Sequence, residues 1–160
     1  MSKSVSGPDS LEGPWHQSAE LRETIGGAGE VLFGKTWACH CGSAFEQDYP
    51  GKSPGMPDFR CPGCGQLVDV KTEMKQRPGD NIAISQKPFD GYSPKTILAV
   101  YYSDGAWFGA YRGECENYTG PHEPAHSSRP TWYYWVDTTP FVPLNWYLMV
   151  LPLDSKQKED

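Results

Sequence analysis

The chain has 160 residues, of which 38% are hydrophobic, 13% aromatic and 21% charged, with a formal net charge of −6. That length suits one domain with a real core, the apolar content excludes general disorder, and the acidic balance weighs against a nucleic-acid partner. Charge is uneven, however, so the total does not decide the partner: Asp9, Glu12, Glu20, Glu23, Asp154, Glu159 and Asp160 gather at the ends, whereas Lys71, Lys75, Arg77, Lys87 and Lys95 outnumber Glu73, Asp80 and Asp90 between 71 and 95.

Residues 1–16, rich in Ser, Gly and Pro, read as a mobile arm without the apolar core of a signal peptide, and no apolar run is long enough to span a membrane. A cytoplasmic protein with no membrane association is expected. Ser18 can cap a short helix over 19–25, with Leu21 and Ile25 on one face and Gly26-Gly27 ending it. From Glu30 to Phe45 the pattern is strand, knuckle, strand, and the prolines and glycines of 49–57 make a loop. A hairpin follows over 58–71, and 96–111 is the clearest hairpin, turning at Ser103-Asp104-Gly105. Residues 113–130 read as a long loop, 132–137 as a strand, 142–150 as a segment that packs back, and 154–160 as a disordered tail. With 17 glycines and 15 prolines, this is an α+β or α/β chain: one domain over 17–153, a small mixed sheet and few short helices.

Five cysteines, four of them in two tight pairs, point to a metal in a reducing compartment rather than to disulfides. Cys39-His40-Cys41-Gly42 and Cys61-Pro62-Gly63-Cys64-Gly65 each set two thiolates on one turn, and two such knuckles supply a zinc tetrahedron. The first knuckle has the shorter Cys-x-Cys spacing, and His40 could stand in for a neighbour. Four protein ligands leave no open position, so the zinc is expected to be structural. Cys115, His122 and His126 read as loop residues.

The second hairpin carries more than thiolates. With Pro62–Gly65 as the loop, Cys61 opposes Gln66, Phe59 opposes Val68 and Asp58 opposes Asp69, while Lys71 shares the face of Asp69. Two like charges directly opposite destabilise a sheet, and a divalent cation on oxygen ligands would offset the repulsion; hydrated, exposed aspartates are the other reading. Pro57-Asp58 followed by Asp69-Val70-Lys71 resembles the signature of the PD-(D/E)XK nuclease superfamily. The resemblance covers roughly 18–112 and implies adjacent strands of a mixed sheet flanked by helices. It also implies magnesium or manganese on Asp58 and Asp69, Lys71 assisting the attacking water, and a helical acid at Glu23 or Glu20. Gln86 would match a downstream polar residue, and Lys75, Arg77 and Lys87 would grip the DNA backbone. The competing reading is a zinc-ribbon adaptor or inhibitor that docks on nucleic acid or on a protein without catalysis. The aromatics of 107–111 and 132–135 are expected mostly in the core.

Overall fold

A computed structural model describes residues 19–124 and 131–152, with side chains from residue 27 onward. The arms expected at 1–16 and 154–160 lie outside the described residues. The chain runs α1 (Ala19–Thr36), β1 (Trp37–Cys39), β2 (Phe59–Arg60), β3 (Leu67–Glu73), β4 (Ile82–Ser85), α2 (Gln86–Gly91), β5 (Ile97–Tyr102), β6 (Trp107–Tyr111), β7 (Tyr118–His122), β8 (Tyr133–Val136), β9 (Val142–Pro143) and β10 (Leu148–Val150). This is the mixed α/β architecture expected from the strand signals. Among the described residues no helix is long and apolar enough to cross a membrane.

The central sheet has the order β2-β3-β5-β6-β9. Its β3–β5 pair is parallel and the other neighbours are antiparallel. A parallel pair needs a crossover, and β4 with α2 supplies it. Side chains alternate across this sheet and define two cores. Val68, Val70, Ile97 and Ala99 face α1, where they meet Phe33, Trp37 and Phe59. Leu98, Val100 and Tyr102 face the other way, onto Ile82, Ile84, Phe89, Tyr134 and Val136. Those last residues belong to α2 and to a second sheet of order β4-β8-β7. Of the aromatics, Tyr134, Trp107, Phe108 and Tyr111 pack on these cores, while Trp132 is exposed.

Two boundaries differ from the sequence reading. The helix expected to stop at Gly26-Gly27 continues to Thr36, so the apolar run Val31-Leu32-Phe33 is helical rather than a strand. Helical glycines cost about 1 kcal/mol each against alanine, and tertiary contact offsets that cost. Gly29 is buried where a Cβ would collide with the Thr72 side chain, so glycine lets the helix axis come close to β3. Residues 118–122, expected as loop, form β7, which gains its ladder only from β8.

Phe33 anchors the extended helix. It is fully buried, with its ring 4.8 Å from Phe59 and 5.9 Å from Trp107. Phe33→Ala should cost about 3–5 kcal/mol in urea unfolding. A loss below about 1 kcal/mol would mean that this stretch is not the packed helix described.

Candidate functional site

The first cluster is sulfur. Cys39 closes β1, Cys61 follows β2, and the four ligand atoms of Cys39, Cys41, Cys61 and Cys64 lie within 4.8 Å of one another. The Cys39–Cys64 and Cys41–Cys61 Sγ pairs are each 3.4 Å apart. A tetrahedron with metal–sulfur bonds of about 2.3 Å has edges of about 3.8 Å, so the group could hold a metal ion. Each turn is built for it. The Gly42 N–H donates to the Cys39 carbonyl at 2.8 Å, and the Gly63 and Cys64 N–H groups approach Cys61 Sγ at 3.3 and 3.4 Å. Gly42 and Gly65 take φ of 97° and 85°, where side chains are strained. Burial pushes the Cys39 thiol up to about 12, whereas hydrogen bonds from Ser43 draw exposed Cys41 down to about 6. His40 is exposed and touches only the rim, with Nδ1 3.7 Å from Cys39 Sγ. Cys115 is buried with its thiol toward the Tyr111 carbonyl, His122 pairs with Thr119, and His126 lies outside the described residues.

The second cluster is oxygen and nitrogen. The hairpin has the register read from its loop length, Phe59 opposite Val68 and Arg60 opposite Leu67, with the Cys61 N–H on the Gln66 carbonyl. Continued by two residues, that ladder would give the Val70 N–H to the Pro57 carbonyl. Instead the Tyr49 hydroxyl holds the Pro57 carbonyl at 2.6 Å, and Asp58 Oδ2 accepts the Val70 N–H at 2.8 Å. The Asp58 carboxyl is thereby turned in beside Asp69, which is buried. Lys71 Nζ stands 3.0 Å from Asp69 Oδ2, a charge contact without hydrogen-bond geometry, and that buried oxygen has no other partner. Lys52 donates to the Asp58 and Gln47 carbonyls at 3.1 and 2.9 Å, tying the loop to the site.

Burial, then the Asp69 charge, push the Asp58 carboxyl up to about 8. Close carboxylates resist ionising together, which is the second cause of this rise. Burial draws the Lys71 ammonium down, yet Asp69, with Asp58 and Glu30 behind it, more than offsets this and leaves it above its ordinary value.

Two residues join the cluster that sequence reasoning missed. Glu30 of α1 couples to both aspartates, is raised first by burial and then by Asp69, and accepts from Gln47 at 2.6 Å. It stands where the helical acid was expected at Glu23 or Glu20. Those two lie on the same helix, Glu23 two turns earlier, with side chains outside the described residues. The glycine pair hid Glu30 by ending the expected helix too soon. Tyr92, at the end of α2, lies close enough to Asp69 to feel its charge, and burial followed by that charge keeps its hydroxyl protonated. Its single aromatic gave no local signal. Gln86 is not in this cluster; it opens α2, on the side of Tyr134, whose hydroxyl donates to Asp90. Lys75, Arg77 and Lys87 are exposed, the first two beyond β3 and the third on α2.

No protein-family model matches the chain, and no curated protein is similar to it in sequence.

The proton on Asp58 has a thermodynamic signature. Its carboxyl titrates near about 8 when folded and near about 4 when unfolded. Between those values the folded state holds the extra proton, so stability falls as pH rises through the window, and Glu30 adds to it with the same sign. Asp58→Asn keeps an oxygen for the Val70 N–H and removes the titration. Thermal melts in magnesium-free buffer should show the variant gaining on wild type from about pH 4 to about pH 8. A difference that stays constant over that range would make Asp58 an ordinary carboxylate.

Proposed function

We propose that this chain is a metal-dependent nuclease that hydrolyses phosphodiester bonds in DNA, with a separate structural zinc on Cys39, Cys41, Cys61 and Cys64. The observation that carries the reading is the Asp58–Asp69–Lys71 group beside one hairpin of a mixed sheet, with Asp69 buried, the other two half-buried, and one Asp69 oxygen without a hydrogen-bond partner beside the Lys71 ammonium.

The donor sets separate the two metals. Four soft thiolates in a closed tetrahedron suit zinc. Hard carboxylate oxygens suit magnesium or manganese, and magnesium commonly takes only one or two protein carboxylates, leaving positions for water and phosphate. Asp58 and Asp69 fit that requirement, with Glu30 as the third acid nearby. Among the described residues only the cysteines bring three or more ligand atoms within 4.8 Å, so the acids form no closed cage. When bound there, magnesium or manganese supplies the charge that polarises a phosphodiester and lowers the pKa of its water. Lys71 remains cationic beside Asp69, where it orients the attacking water and stabilises charge on the phosphorus oxygens. Lys52 and Tyr49 hold the backbone that carries Asp58. The exposed Lys75, Arg77 and Lys87 supply salt-dependent attraction to the strand.

Two experiments test this. Protein purified without chelators should carry about one zinc per chain, and Cys61→Ser should unfold or aggregate it, because the binding energy of a structural zinc is largely folding energy. A folded, zinc-free protein ends that half of the reading. Plasmid and single-stranded DNA should be cut with magnesium or manganese by wild type and not by Asp69→Asn, whose zinc content and fold stay intact. Lys71→Ala should also lose turnover while keeping magnesium affinity. Cleavage that persists in Asp69→Asn puts the chemistry elsewhere, and tight partner binding with no cleavage at all favours the adaptor.

A further inference from the structure

Beside the carboxylates lies a cavity of about 520 Å³. Its walls are apolar: Met56, Pro57, Leu67, Pro88 and the Tyr92 ring, with Lys87 the one charged residue and no acid lining it. Three of its lining residues neighbour the candidate site. Pro57 directly precedes Asp58, Tyr92 lies within reach of the Asp69 charge, and Leu67 stands two residues before Asp69 on the same face of β3. Along that row the order is cavity, carboxylate, ammonium. Leu67 and Asp69 are separated by about 7 Å of strand, the scale that parts the base of a nucleotide from its phosphate.

An occupant must therefore be flat and apolar in one part and anionic in the next. Carboxylates facing outward from the cavity would repel a free organic anion, but a phosphate neutralised by a divalent cation places its own base here. We propose that this cavity seats one unpaired nucleobase of the strand being cut, so that the enzyme prefers single-stranded nucleic acid or frayed ends over intact duplex. The inference rests on the nuclease reading and adds to it the class of substrate. A stacked, paired base cannot enter without extrusion, which costs a few kcal/mol, whereas an unpaired base finds the Tyr92 ring and the proline faces at once. Lys87 on the rim holds the next phosphate.

Gly91 permits a clean test. It lines the cavity, its backbone is outside the left-handed region, and a Cβ built on it meets nothing within 4 Å, so Gly91→Phe fills the space from the wall. The probe is an oligodeoxynucleotide carrying 2-aminopurine, single-stranded or folded into a hairpin duplex, titrated with calcium in place of magnesium so that the phosphate is neutralised at the carboxylates without turnover. Wild type should bind the single strand roughly tenfold more tightly than the duplex, the scale of one base–aromatic stack, with a change in 2-aminopurine emission. Gly91→Phe should lose that preference while keeping its zinc and melting temperature. Lys87→Glu, an exposed change, should weaken single-strand binding too and serves if the first variant does not fold. Duplex bound equally or better, or single-strand affinity unmoved by either variant, overturns the proposal. Because this arm reads binding without turnover, its result is independent of whether Asp69→Asn abolishes cleavage, which judges the nuclease reading alone.

Discussion

Two carboxyl groups held side by side in a poorly hydrated place repel each other, and most of the local architecture of this chain answers that repulsion. Asp58 could have continued the β2–β3 ladder and pointed its carboxyl away. It does not, because Tyr49 takes the Pro57 carbonyl and leaves the Val70 N–H to the Asp58 side chain. Lys71 then sits at 3.0 Å from Asp69, and burial with the Asp69 charge raises the Asp58 carboxyl to about 8. A site that must hold a proton or a cation to be stable is chemically poised in a way that a solvated pair of aspartates is not.

The cysteine cluster and the carboxylate cluster are one construction. Cys61 lies three residues from Asp58, and the turn it begins sets the register that puts Asp58 next to Asp69. The loop from 47 to 58 links the first knuckle to the same strand and is pinned by Lys52 and by the Tyr49 ring, over which Arg60 lies at 5.1 Å. The four thiolates at one end of a two-residue strand could hold a metal ion, which would make a stiff clamp where a ladder that short would not be. Under the proposed nuclease function stiffness there would matter, because small displacements of a metal ligand are costly to catalysis.

The acidic net charge does not oppose a nucleic-acid substrate once the charges are placed. Glu30, Asp58 and Asp69 are withdrawn from solvent or cluster in the site, whereas Lys75, Arg77 and Lys87 are exposed. The net charge alone therefore does not set the field at the exposed cations of this surface.

The local signals were the ones the sequence carried in full. Knuckle spacing identified Cys39, Cys41, Cys61 and Cys64, and a four-residue hairpin loop dictated the pairing of Phe59 with Val68, because turn length and register are linked within a dozen residues. The same link made the row of Asp69 and Lys71 legible. Tertiary structure decided the rest. Whether α1 stops at Gly26-Gly27 or runs on to Thr36 depends on Phe33 finding Phe59 and on Gly29 meeting Thr72, contacts tens of residues distant. Glu30 reaches the cluster only because of that continuation. Tyr92 and the cavity beneath it exist because β3 and β5 pair in parallel, so that the intervening β4 and α2 must cross over and bring the end of α2 back onto Asp69. A parallel crossover and a helix carried through glycines are stabilised by packing alone, and no local pattern of residues encodes a partner that the chain meets only after it has folded.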